Sequence, residues 1–265
     1  MSYQSNLKNE RELRAYIVEI CRRMYDKNFV AAGDGNVSVK LSADRFLTTP
    51  SGQHKGYLHP DQMVVVDARG QKISGDYNPS SEMPMHLAAY AKRPDIGAVI
   101  HAHPPISTAF SIAGISLAKC ILPEVVLSLG MIPTTRYATP TTSEGAEVIQ
   151  EHIGDYDALI LERHGSLTVG KDLDAAYMKL ERIEHAAMIT YIARDLGHAR
   201  PLSRDQVSKL LLARQKLGLK SNFPGCDRCG ACLNENADEE AAKATIQLDE
   251  SLIASIVEEI IKEGK

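Results

Sequence analysis

Val99-Ile100-His101-Ala102-His103 is the stretch on which the reading of this chain turns. Aliphatic residues lead into two histidines separated by one alanine, the pattern of a buried strand reaching its end. Successive side chains of a strand alternate faces, so His101 and His103 point the same way. Two imidazoles side by side begin a site for zinc or a similar divalent metal. A catalytic metal takes about three protein ligands and keeps one position open for substrate. His164 follows another apolar run, Ala158-Leu159-Ile160-Leu161, and supplies a third imidazole, while Glu82 supplies a carboxylate. A lone histidine is more often a satisfied core or surface residue. A His-x-His pair joined by a third strand-end histidine points to a metal-dependent enzyme.

Outward from that strand, the hydrophobic pattern alternates between short strands and helices. Residues 9–28 read as an amphipathic helix, with Leu13, Tyr16, Ile17, Ile20, Cys21 and Met24 at helical spacing. Strands are expected at Val37–Leu41, Phe46–Thr49, Met63–Asp67, Ala98–His101 and Ala158–Leu161. Ser80-Ser81-Glu82-Met83-Pro84 reads as a helix start, with serines to cap and an acid in the first turn. Ser107–Ala113 also reads as helical. A long helix is expected from about Leu173 to Leu196, with Leu173, Ala176, Tyr177, Leu180, Ile183, Ala187, Met188 and Tyr191 on one stripe. This alternation predicts an α/β layered domain around one sheet.

The 265 residues suffice for one well-buried domain, and 44% hydrophobic with 24% charged residues is an ordinary globular balance. A formal charge of -4 and the lack of a Lys/Arg-rich block argue against a nucleic-acid partner. No apolar run approaches membrane-spanning length, and Met1-Ser2-Tyr3-Gln4-Ser5 lacks signal-peptide character, so the expectation is a cytoplasmic protein without a membrane partner. Cys21, Cys120, Cys226, Cys229 and Cys232 are odd in number, which does not suit a closed disulfide framework. Cys226, Cys229 and Cys232 have metal-like spacing but no obvious fourth ligand, which leaves a reduced or redox-labile loop as the plainer reading. The texture changes near Lys216. The expected division is a catalytic domain over 1–215 and a Cys-containing C-terminal extension over 216–265. That extension carries an acidic run, Asn234 to Glu240, and ends in an amphipathic helix on Leu252, Ile253, Ile256, Val257, Ile260 and Ile261.

Three small-residue stretches look like anion cradles: Gly33-Asp34-Gly35-Asn36, Thr49-Pro50-Ser51-Gly52 and Ser80-Ser81. Backbone N–H groups in Gly-rich turns and at helix starts bind phosphate. Singly each is as well an ordinary turn; together with a metal they suggest a small phosphorylated substrate. Glu82 suits ligation or proton transfer, against the plainer role of a first-turn acid. His86 shares its helix face, and a supporting or surface role is favoured for it over ligation.

Gly35-Asn36-Val37-Ser38, Thr49-Pro50-Ser51-Gly52, Pro79-Ser80-Ser81-Glu82, His101-Ala102-His103, Tyr137-Ala138-Thr139-Pro140 and His164-Gly165 follow one another in the order of a known family. Over about Leu7 to Leu212 the chain resembles the class II aldolase/adducin family, in particular its fuculose-1-phosphate aldolase-like members. The resemblance implies a three-layer α/β/α fold with a central, mainly antiparallel sheet, assembled as a homotetramer with sites between subunits. It implies Zn²⁺, or another divalent metal such as Mn²⁺, on His101, His103 and His164, with Glu82 a fourth ligand when substrate is absent. Gly35, Asn36, Ser51, Gly52, Ser80 and Ser81 would hold the substrate phosphate. The implied reaction is cleavage of a phosphorylated ketose through a zinc-stabilised enediolate, giving dihydroxyacetone phosphate or an analogue and an aldehyde. Glu82 would shuttle the proton.

Epimerase-like members usually carry Asp where this chain has Glu82. The tyrosine acid of fuculose-phosphate aldolases has no counterpart in Leu122-Pro123-Glu124-Val125-Val126, where Glu124 is the substitute acid to weigh against a structural role. Other outcomes at the same site are a decarboxylase, dehydratase or epimerase acting on a sugar acid or sugar phosphate. A non-catalytic adducin-like binding module is disfavoured by retention of the histidines and Glu82. A Schiff-base mechanism on Lys55 or Lys92 is disfavoured because neither lies in an apolar run that would depress its pKa.

Overall fold

Alternating apolar residues give seven short strands: β1 (Asn36–Lys40), β2 (Arg45–Thr48), β3 (Val64–Asp67), β4 (Lys72–Ser74), β5 (Ala98–Ala102), β6 (Ala158–Leu161) and β7 (Gly165–Gly170). The computed structural model describes residues 9–219 together with Asn222, Phe223 and Gly225. In it the strands form one sheet in the order β4-β3-β2-β1-β5-β7-β6, and each neighbouring pair is antiparallel. β5, the strand carrying His101, therefore lies inside the sheet between β1 and β7.

Helices cover both faces of the sheet, as an α/β/α sandwich requires. On one face lie α1 (Glu10–Asp26) and α6 (Leu173–Asp195), packed on Val37, Val39, Leu47, Val65, Ala98, Ile100 and Ala102. On the other lie α2 (Met83–Lys92) and α5 (Ser143–His152), packed on Phe46, Val64, Val66, Val99, Leu159, Leu161, Leu167 and Val169. The residues sort by strand alternation: Ala98, Ile100 and Ala102 face α1 and α6, whereas Val99 faces α2, and His101 follows it. Helices α3 (Pro105–Ile112) and α4 (Pro123–Ser128) add a cluster against β6 and the later turns of α6. Helix α7 (Arg204–Lys216) is tied to α4 by Arg214, which donates to the carbonyls of Val126 and Ser128 at 3.1 and 3.2 Å.

Helix α1 begins where a polar side chain can take an unpaired amide: Asn9 Oδ1 accepts from Glu12 N–H at 3.0 Å. Its buried face carries Tyr16, Ile17, Ile20, Cys21 and Met24, the expected spacing. Full burial of each large aliphatic side chain there contributes roughly 1.5–3 kcal/mol. The stripe of α6 agrees from Leu173 to Ala187. Met188 and Tyr191, expected on it, are 41% and 55% exposed, and Ala186 and Thr190 are buried instead. The reason is a change of partner: Ile183, Ala186 and Ala187 face a second cluster built with α3, α4 and β6. No described helix is long and apolar enough to cross a membrane. Cys226, Cys229 and Cys232, the acidic run 234–240 and the expected terminal helix lie outside the described residues.

Candidate active site

Sheet register delivers the first side chains. Asn36 of β1 pairs with His101 of β5, so both project toward the face covered by α2. His103 lies one residue beyond β5, where its N–H donates to the Phe29 carbonyl at 2.8 Å. His164 arrives on the three-residue loop between β6 and β7, in which Arg163 adopts a left-handed φ of 58°. Gly165 makes the approach possible. A Cβ there would run into the Ala102 carbonyl and come within 2.8 Å of His103 Cδ2.

These elements bring the three imidazoles together, with ring centroids 4.7–4.9 Å apart and one nitrogen from each within 4.8 Å of the others. Glu82 comes from the start of α2 and spans two of them. Its Oε2 is 3.3 Å from His101 Nε2 and its Oε1 is 3.1 Å from His164 Nε2. Asn36 Nδ2 donates to Oε2 at 2.8 Å. The expectation for the helix start is corrected here. Glu82 is the N-cap residue of α2 rather than a first-turn acid, and neither it nor a serine caps the helix with a side chain. Ser80 Oγ accepts from Glu82 N–H at 3.2 Å instead. The carboxylate is thereby left free to turn toward the histidines.

The protonation of the cluster follows from its partners. His101 Nδ1 lies 2.9 Å from the Ser166 carbonyl, which can only accept, so Nδ1 carries the proton and Nε2 presents a lone pair. Burial lowers the His101 pKa to about 4, against the opposing charge of Glu82. Burial, with His101 and His164 adding to it, lowers that of His103 to about 3. Burial alone would raise the Glu82 carboxyl. The His164 hydrogen bond, the His101 and His164 charges and the Asn36 hydrogen bond together outweigh it and hold Glu82 well below the usual carboxylate range. At neutral pH an anionic carboxylate oxygen therefore faces the lone pair of His101 Nε2, and His103 Nε2 lies 2.9 Å from that same nitrogen. An imidazole lone pair on His101 and an ionised Glu82 carboxylate are protonation states that ligation needs. This donor set fits a divalent cation.

The three small-residue stretches adjoin one another and the cluster. Gly33 approaches Gly52 and Gln53, Ser51 N–H donates to the Asn78 carbonyl at 2.9 Å, and Pro50 bridges to Pro79, next to Ser80. Gly35 takes a left-handed φ of 71°, and a Cβ on it would lie 2.9 Å from the His101 carbonyl. Beside Glu82 and His164 a cleft is walled by Ser81, Thr135, the Thr139–Thr142 segment and Glu162.

Other expected residues are placed elsewhere. Glu124 is exposed in the first turn of α4, and its carbonyl accepts from Ser128 and Arg182; no described bond joins its carboxylate to the cluster. His86 is fully buried, with Nδ1 2.7 Å from Ser38 Oγ, which also contacts the Tyr90 hydroxyl at 3.0 Å. It ties α2 to Ser38 of β1 rather than joining the triad. Lys92 is exposed. Lys55 corrects the expectation of an unperturbed amine. It is only 2% exposed, burial lowers its pKa, and its Nζ is committed to two backbone carbonyls. Ser166, Ser38 and Tyr90 were not legible as site residues, since their parts are played by a carbonyl or by hydroxyls paired between β1 and α2.

Known proteins agree with this architecture. The description "Class II Aldolase and Adducin N-terminal domain" matches residues 15–191. The L-fuculose phosphate aldolase of Methanococcus maripaludis is 36% identical over 179 residues, covering 68% of this chain and 96% of that one. The 3-oxo-tetronate 4-phosphate decarboxylase of Escherichia coli is 32% identical over 192 residues, covering 71% and 90%. Among solved structures, an L-fuculose 1-phosphate aldolase superposes with a TM-score of 0.71 at 25% identity, over 78% of this chain and 96% of that one. The Escherichia coli aldolase/epimerase/decarboxylase candidate YgbL gives 0.71 at 30% identity, over 77% and 99%. The antiparallel sheet between helix layers, the His triad and the extent of these matches lead to one conclusion: this chain belongs to the class II aldolase and adducin family.

Proposed function

We propose that this protein is a metal-dependent aldolase that cleaves a phosphorylated ketose, or a similar hydroxyketone phosphate, into dihydroxyacetone phosphate or an analogue and an aldehyde. The observation that carries the reading is Glu82 lying across His101 and His164, one carboxylate oxygen to each. His101, His103 and His164 would hold the cation, zinc first and manganese second, with Glu82 completing the set until substrate arrives. A divalent cation bound there supplies a Lewis acid that offsets negative charge developing on the ketone side of the breaking bond.

The chain's own residues do the rest. Gly35, Asn36, Ser51, Gly52, Ser80 and Ser81 grip the phosphate and hold the scissile bond in line, which is where positioning aids rate. Glu82, once displaced by substrate, takes or returns the proton at the carbon next to the carbonyl. Asn36 Nδ2 is then released from the carboxylate and free to donate to phosphate. Glu124 is the acid on the aldehyde side. With no bond to the cluster within one chain, it would act from a neighbouring copy, in keeping with a homotetramer. Residues 1–215 would form this catalytic domain and 216–265 an appended extension.

A second outcome at the same site has specific support. Several relatives at 30–32% identity carry the name 3-oxo-tetronate 4-phosphate decarboxylase. Loss of CO₂ from a phosphorylated 3-oxo acid leaves the same kind of charge for the same residues to hold. The deciding experiment incubates the purified full chain with ketose 1-phosphates and with 3-oxo acid phosphates, with and without chelator, and identifies products by NMR. Metal-dependent release of an aldehyde supports the aldolase, and chelator-sensitive CO₂ release supports the decarboxylase. Turnover that persists without metal would overturn both.

A further inference from the structure

The loop after β2 hides an unusual group. Lys55 has a side chain that is almost entirely buried, yet no carboxylate makes an ion pair with it among the described residues. Its Nζ donates instead to the Gly33 carbonyl at 2.7 Å and the Gln53 carbonyl at 2.9 Å. Its own N–H donates to the Ala32 carbonyl at 2.9 Å. One residue thus ties the turn before β1 to the loop after β2, the first two arms of the proposed phosphate cradle. The turn it holds is strained: Ala32, a residue with a Cβ, has a left-handed φ of 45°. Such a conformation is kept only where surrounding bonds over-determine it.

A purely structural staple would not need charge. Two carbonyls can be bridged by a neutral amide donor, which avoids the penalty of desolvating an ammonium. The charges of Asp34 and Glu82 act on Lys55 from nearby, but neither carboxylate pairs directly with its Nζ, which leaves this buried cation beneath two Gly-rich loops able to act on an anion arriving from the other side. In a low-dielectric setting its field on that anion is weakly screened.

From this geometry we infer that Lys55 is a positioning residue for a phosphate monoester: it fixes the two loops against each other and holds a positive charge behind them. The inference rests on the phosphate-cradle reading given above.

The test uses the zinc-loaded full chain and inorganic phosphate, titrated by calorimetry, with zinc content and thermal midpoint measured alongside. Lys55→Met keeps length and volume but loses charge and donors; Lys55→Arg keeps the charge. We expect Lys55→Met to weaken phosphate binding at least tenfold with zinc still bound, and Lys55→Arg to recover part of it. With a ketose phosphate, KM should rise more than kcat falls. Should Lys55→Met not fold, Lys55→Gln, which keeps one donor, is measured in its place. Phosphate affinity within twofold of wild type in a folded neutral variant would overturn the role of Lys55. Absence of phosphate binding by the wild-type protein would overturn the cradle itself, a separate failure.

Discussion

The carboxylate of Glu184, on α6, accepts a hydrogen bond from the backbone N–H of Ser107 at 2.9 Å, across 77 positions of sequence. Its second oxygen takes the Ile106 N–H at 2.8 Å. A buried acid from one helix therefore caps the first turn of α3, which Pro104 joins directly to His103. Helix starts have unpaired amides and a partial positive charge, and both favour this carboxylate. Glu184→Ala should lower stability by about 2 kcal/mol, and Glu184→Gln by less, in urea denaturation. Equal stability of wild type and Glu184→Ala would show that the cap is dispensable.

Removing the cation should destabilise the fold as well as stop turnover. Binding to the native state alone adds RT ln(1 + [L]/Kd), about 2.7 kcal/mol when the metal is at a hundred times its dissociation constant. Dialysis against chelator is expected to lower the thermal midpoint, and zinc to restore it. His101→Ala, which deletes the ligand fixed by the Ser166 carbonyl, should lose that response. A midpoint indifferent to chelator would argue that no cation sits among these rings.

Glu82→Gln separates proton transfer from ligation. The amide keeps the size of the side chain and leaves the three imidazoles in place. Zinc content is expected to stay near wild type while kcat falls on the order of 10²–10⁴-fold. Retained turnover would remove Glu82 from the chemistry.

Gly165→Ala tests how the third imidazole reaches the other two. The added methyl would meet the Ala102 carbonyl and His103, so the β6–β7 loop must retreat. We expect a loss of roughly 1–3 kcal/mol in stability and at least tenfold weaker zinc binding. Unchanged zinc affinity in a stable variant would show the site tolerates a wider spacing.

His86 sets a pH dependence. Burial lowers its pKa from 6.5 to about 4. Below pH 6.5 the unfolded chain takes up a proton that the folded chain refuses, so stability falls as pH drops from 6.5 toward 4. The loss from this one group reaches up to about 3 kcal/mol. His86→Gln, which keeps a polar contact for Ser38, should flatten the stability profile across that window in chemical denaturation at stepped pH. A slope identical to wild type would place the acid sensitivity elsewhere.

Much of this molecule could be read before any coordinates. β1, β2, β3, β5 and β6 and helices α1, α3 and α6 all have apolar residues at strand or helix spacing, and each lies within a residue or two of its expected bounds. The strand β7 was harder: Gly165-Ser166-Leu167-Thr168-Val169-Gly170 is bounded by glycines and holds only two large apolar residues, so its pattern is faint. Helix α6 shows the opposite failure. Its pattern is clear, but which residues it buries at its far end depends on α3 and α4.

Local pattern thus suffices for the histidines, because alternation along a strand and the end of an apolar run are properties of neighbouring residues. It also suffices for the small-residue turns, whose backbone demands are met by Gly, Ser and Asn in place. The turn of Glu82 away from its own helix and the burial of Lys55 under two loops are of another kind. So is the lock of Ser166 on His101, made across 65 positions. Each depends on which distant groups the sheet order brings within hydrogen-bond reach. A short stretch of chain holds no record of that distance; it exists only once the layers have packed and water has been driven from between them.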